Sequence, residues 1–189
     1  MSFLNMQDRE TADDVPRFVP DEPLPPYTYV SGVTPHPTRD PAGHSYKVTH
    51  APPQPLATES WPTSREYLFG IDLFNAGYYW EAHEAWESLW HACGRKGATA
   101  ELLQGLIKLA AAGVKAREFR PAGVVRHARR AVELFAQARS QMADSLYCGL
   151  NVDGLIDEAR RLSSRELTIG PYDRDTPVRS ILDLELRPR

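Results

Sequence analysis

At 189 residues and 21.2 kDa, the chain has room for one compact domain with extensions and is too short for two full-sized enzyme domains. Its hydrophobic content of 42% and charged content of 25% are those of an ordinary globular protein, which excludes a fully disordered or fibrous chain. With 22 Lys+Arg against 25 Asp+Glu, the formal charge of -3 gives no general attraction to nucleic acid or to an anionic membrane, so any such binding has to be local.

The N-terminus, MSFLNMQDRE, is too polar for a signal peptide, and no run of about eighteen apolar residues offers a membrane span. The expectation is a cytoplasmic protein. Twelve of the sixteen prolines lie at or before Pro62, a density that forbids long helices and weakens sheet pairing. Residues 1–62 therefore read as an extended arm, acidic and mobile through Glu22. Tyr27, Tyr29, Val30, Val33, Tyr46 and Val48 then supply apolar groups to anchor a strap on a helical body.

At Thr63 the composition changes. Thr63-Ser64-Arg65-Glu66 has the form of a capping box, and Tyr67, Leu68, Ile71 and Phe74 follow at helical spacing until Asn75-Ala76-Gly77 supplies a stop. A second helix is predicted from about Tyr78 to Ala92. A third runs from Ala100 to about Glu118 with Thr99 as its cap, and a fourth from Pro121, in the first turn, to about Ala143. Asn151 introduces a fifth from Val152 to about Leu162. In the tail, Ile181, Leu182, Leu184 and Leu186 leave helix and short strand both open. The connections are short, so the fold class is all-α: an up-and-down antiparallel bundle of four to five helices over 63–166, with the arm before it and a tail at 167–189. Gly105 and Gly113, interior to the third helix, are expected where a neighbour packs closely. The two cysteines, Cys93 and Cys148, lack metal or redox spacing and read as free thiols.

The second helix holds three of the four tryptophans together with histidines and glutamates. At about 100° per residue, Tyr78, Ala82, Ala85, Trp86 and Leu89 make its core face, and His83 and Glu87 border it. Trp80 falls on the far side with Glu84 and His91, so the arm or a second subunit is expected to cover it. His83 and Glu87, four apart, project from neighbouring turns and can bind one cation or each other. The segment is not a zinc-protease helix, because position 87 is Glu where that motif needs a second His. A divalent metal ion is the candidate cofactor, with His83 and Glu87 as ligands, His36 or His44 of the arm completing the set, and Glu84 as the candidate catalytic base. The structural alternative is a hydrogen-bonded network of His83, Glu84, Glu87, Asn75 and Gln104 that fixes helix angles and holds the arm down.

A second patch gathers Lys115, Arg117, Arg120, Arg126, Arg129 and Arg130 against Glu118 alone, where phosphate or an RNA backbone could bind. A solvated helix face explains it equally well. Two imperfect turn-plus-helix copies do not make a repeat array.

The stretch Phe74-Asn75-Ala76-Gly77-Tyr78-Tyr79-Trp80-Glu81-Ala82-His83-Glu84-Ala85-Trp86-Glu87-Ser88-Leu89-Trp90, followed by Leu103-Gln104-Gly105-Leu106-Ile107-Lys108-Leu109-Ala110-Ala111, resembles the bacterial domain-of-unknown-function family 309. The likeness covers about Glu66 to Phe135, and the segment from Leu24 through Pro35-His36-Pro37 to Gly43-His44-Ser45-Tyr46 is similar to an N-terminal extension of longer members. The resemblance implies a small helical bundle and marks His83, Glu84, Glu87 and Gln104 as motif positions; it implies no reaction. The leading expectation is a binding or scaffold module with a protein partner or a second copy of itself as ligand. The alternatives are a metal-dependent hydrolase-like enzyme and RNA or phosphate binding.

Overall fold

The computed structural model describes residues 16–49, 51–165 and 172–189. After a 3-10 turn at Trp61–Thr63 come helices α1 (Arg65–Asn75), α2 (Tyr79–Ala92), α3 (Ala98–Arg117), α4 (Pro121–Arg139) and α5 (Val152–Ser164). The antiparallel pair β1 (Leu146–Tyr147) and β2 (Leu150–Asn151) precedes α5. The expected all-helical bundle is the fold. Each helix packs on its neighbour in sequence, α1 on α2, α2 on α3, α3 on α4 and α4 on α5. No helix among the described residues is long and apolar enough to cross a membrane.

Amphipathic spacing explains these elements. α4 buries Val124, Ala128, Ala131, Leu134, Phe135 and Ala138 and leaves Arg126, Arg129 and Arg130 in water. α3 is covered on nearly every side, and its half-buried stripe is Glu101, Gln104, Lys108, Ala111 and Lys115. Its two interior glycines are contact points: a methyl at Gly105 would enter the Phe135 ring, and one at Gly113 the Tyr79 ring.

Several helix ends differ from expectation. The capping box does not form: Ser64 is the residue before α1, without a side-chain cap, and the Thr63 hydroxyl instead donates to Ser60 O at 3.0 Å within the 3-10 turn. Thr99 lies inside α3, which starts after Gly97 at φ 84, and its hydroxyl bonds the Tyr147 hydroxyl at 2.9 Å. A local carbonyl three residues back takes the Thr63 hydroxyl, and a tertiary partner takes that of Thr99. α4 stops at Arg139, before Ala143, whereas Pro121 does open it and Asn151 does cap α5, accepting from Gly154 N at 3.1 Å. The small hairpin was not foreseen. Cys148 and Gly149, both at positive φ (46 and 77), turn it. The tail is neither helix nor strand from Val178 to Arg189, although Val178, Leu182 and Leu186 are buried.

The extended segments before and after the helices are tied down by buried side chains. Among the described residues, five polar or charged ones are buried: Thr28, Asp72, Asn75, Glu81 and Arg117. On α1, Asp72 accepts the Phe18 and Val19 amides at 2.8 Å each. Glu81 of α2 accepts the Thr28 hydroxyl and the Tyr29 amide, both at 2.8 Å. Asn75 donates to Leu186 O and accepts from Leu186 N, both at 2.8 Å, so one amide side chain completes a backbone pairing of the tail. Arg117 donates to Gly77 O and Arg179 O at 2.8 Å and lies between the Tyr79 and Tyr172 rings, 5.4 and 5.1 Å from their centres. Burial pulls its pKa below the ordinary arginine value. The Tyr79 hydroxyl accepts the Ile181 and Leu182 amides at 3.0 Å. Since the Ser180 hydroxyl donates to Leu182 O, Tyr79 gives its own proton to Ser180.

Candidate functional site

Ala82, Trp86 and Leu89 anchor α2 in the core, and with Trp86 against Gly70 the helix cannot rotate. That fixes which of its polar side chains face outward. One ligand atom from each of His83, Glu84 and Glu87 lies within 4.8 Å of the others, and His83 Nε2 stands 3.9 Å from Glu87 Oε2. His83 and Glu87 are half-buried and Glu84 is exposed.

Burial holds the His83 imidazole below its usual pKa; Lys108 adds to this, while Glu87 and the Ile107 carbonyl act against it. The ring is therefore neutral at neutral pH and offers a lone pair. Glu84, though exposed as a residue, has its carboxyl pushed up, first by partial burial and then by Glu87 and Glu81, with Arg39 the opposing charge. Negative charge is concentrated along this edge of α2.

The arm walls the site without entering it. His36 stacks on Trp80 and Tyr29, with ring centres 5.5 and 4.9 Å away, and Tyr29 meets Trp80 edge-on at 5.4 Å. Trp80, which these two rings contact, is half-buried. His44 bonds Glu81 at 3.3 Å and Ser45 at 2.8 Å and lies edge-on to Tyr27. Both arm histidines are engaged elsewhere, so the expectation that one completes a metal set with His83 and Glu87 is corrected. Aromatic stacking and a buried carboxylate hold them instead. The expected single network also divides: Asn75 belongs to the tail, and Gln104 is half-buried on α3 with no hydrogen bond to the trio.

Sequence reasoning missed Glu81, Asp72 and Arg117 as holding residues. Glu81 had a usable signal, since it lies next to Ala85 around the helix, at the border of the core face. The basic patch is dispersed. Arg117 is buried, Lys115 and Arg120 both pair with Glu118, and Arg130 pairs with Glu133. Both thiols are free, and burial raises both, Cys148 to about 12, so neither is a nucleophile at neutral pH.

A five-helix body carrying a His/Glu trio on its second helix is the class of protein these features define. Residues 67–127, from within α1 into α4, match the family "Domain of unknown function (DUF309)". No curated protein matches the chain.

Proposed function

We propose that this chain is a cytoplasmic binding module whose working surface is the outer edge of α2, and that a divalent cation held by His83, Glu84 and Glu87 is its ligand. The observation that carries this reading is the convergence of one imidazole and two carboxylates within 4.8 Å. Two ligand atoms on one ion with bonds of 2.0–2.2 Å stand at most about 4.4 Å apart, so small side-chain rotations suffice to close the trio. The neutral imidazole and the mutual repulsion of Glu81, Glu84 and Glu87 both favour an incoming cation. One nitrogen and carboxylate oxygens suit zinc or manganese.

The test is a titration of chelator-treated protein with Mn(II), followed by the free-ion paramagnetic resonance signal. One ion should bind per parent chain, with affinity at least tenfold weaker in His83→Gln and Glu87→Gln variants that keep the parent's circular dichroism. Equal binding by parent and variants would refute the site.

A second reading is favoured by Glu84, the exposed member with a raised carboxyl: His83 and Glu87 would hold the ion and Glu84 would serve as the general base. A Glu84→Gln variant would then keep the metal and lose hydrolysis of a chromogenic phosphate ester. Loss of metal in that variant assigns Glu84 to ligation instead.

A further inference from the structure

The C-terminal segment from Val178 to Arg189 lies in a seat built from α1, the turn after it, α2 and α3, and the seat grips mostly its main chain. Asn75 pairs with both backbone groups of Leu186, Tyr79 receives the Ile181 and Leu182 amides, and Arg117 holds the Arg179 carbonyl. Ser180 adds a side-chain bond to the Tyr79 hydroxyl at 3.1 Å. A methyl at Gly77 would run into the Arg179 carbonyl, so a residue without a side chain makes room for the segment there. Val178, Leu182 and Leu186, four apart, are its buried apolar groups. Main-chain bonds hold the strand and apolar side chains set its register, the division of labour by which proteins recognise extended peptides.

Two features separate the seat from its occupant. Asn75, Gly77, Tyr79 and Arg117 stand within the matched residues 67–127, whereas the segment lies outside them. The segment also has no helix or strand of its own, so it leaves the seat without unwinding any element. An emptied seat takes hydrogen-bond partners from Asn75 and Arg117, both buried, and that cost favours refilling it with another strand.

We propose that this seat is a strand-binding groove and that its occupant in trans is the C-terminal segment of a second copy of the chain, so that two chains exchange segments. A second copy is favoured because its segment carries the register the groove reads. That register is a carbonyl at Arg179, amides at Ile181 and Leu182, and an amide with a carbonyl at Leu186. Exchange recreates the same bonds between chains and requires no new contact. In the parent the tethered segment competes at an effective concentration of about millimolar, so exchange is confined to chains whose own segment has left its seat. The groove uses none of His83, Glu84 and Glu87, and it stands or falls apart from the cation reading.

The experiment is sedimentation velocity on two full-length variants, alone and mixed. The double variant Leu182→Asp with Leu186→Asp has an open groove and no usable segment, whereas Asn75→Leu has a usable segment and a damaged groove. Each alone should sediment as a monomer, and the equimolar mixture should contain a one-to-one complex at least tenfold tighter than either variant's self-association. A dye-labelled peptide of residues 178–189 should bind the double variant at least tenfold more tightly than the parent, whose groove is filled. Adding Asn75→Leu to the double variant should remove that gain. Leu186→Ala, which loosens the segment without charging it, carries the same measurements if the double variant loses its helical circular dichroism. A mixture that stays monomeric, while both variants keep their helical signal, would overturn the proposal. Equal peptide binding by the parent and the double variant would overturn it too, by placing the peptide outside the groove. Peptide uptake with no complex between chains would refute the second copy as the occupant.

Discussion

The Asn75 side chain and the Leu186 backbone exchange two hydrogen bonds of 2.8 Å across 111 positions of sequence. The amide imitates a neighbouring strand and satisfies a buried donor and acceptor of the tail at once. Asp72, Tyr79, Glu81 and Arg117 do comparable work elsewhere on the helices.

Replacing Asn75 with Leu leaves the Leu186 amide and carbonyl without partners. At about 1–3 kcal/mol for an unsatisfied buried group, unfolding free energy should fall by roughly 2 kcal/mol or more, measured by urea titration. The tail should also become the first site of proteolysis. A loss below about 0.5 kcal/mol would mean that the tail bonds contribute nothing net.

Glu81→Ala removes the acceptor for Thr28 and Tyr29 and the partner of His44. The arm should lift from α2, exposing Trp80, and tryptophan emission should shift to the red while far-ultraviolet circular dichroism keeps its helical signal. Unchanged emission would show that the Tyr29 and His36 rings hold the arm unaided.

Gly113→Ala gains up to about 1 kcal/mol of helix propensity but places a methyl in the Tyr79 ring, at an overpacking cost of about 1–3 kcal/mol. Net destabilisation of up to about 2 kcal/mol is expected on those figures. Because Tyr79 carries the Ile181 and Leu182 amides, the tail should loosen too, seen as faster amide hydrogen exchange at those two positions.

The chain's helices were legible because their information is local. Pro121, Asn151 and the stop at Asn75-Ala76-Gly77 act within one turn, and the amphipathic stripe of α4 reads directly from its sequence. The metal-type pair His83 and Glu87 was legible for the same reason, four residues apart on one helix. Glu81 and Asp72 were not, because their partners lie 52 to 54 residues away in an arm without a periodic pattern. A glutamate between a tryptophan and an alanine on a helix reads as surface charge until that arm is laid over it. Thr63 and Thr99 had good cap sequences, yet Ser60 and Tyr147 take their hydroxyls.

Acidification should destabilise the metal-free protein through its histidines. Burial depresses His83 and His127 from the ordinary value of 6.5, so the unfolded chain takes up protons first as pH falls. Their contribution is fully present above 6.5 and is lost as pH drops through the folded values. Asp72 and Glu84, raised by burial, act with the opposite sign further down, in the carboxylate range. His127→Gln should flatten the decline in unfolding free energy below pH 6.5; an unaltered slope would exclude His127 as its source.

Anomalous diffraction from crystals of the full chain soaked in Mn(II) would locate a cation on α2. One strong peak is expected within about 2.3 Å of the ligating atoms of His83, Glu84 and Glu87. A peak elsewhere on the surface, with none between these three side chains, would contradict it.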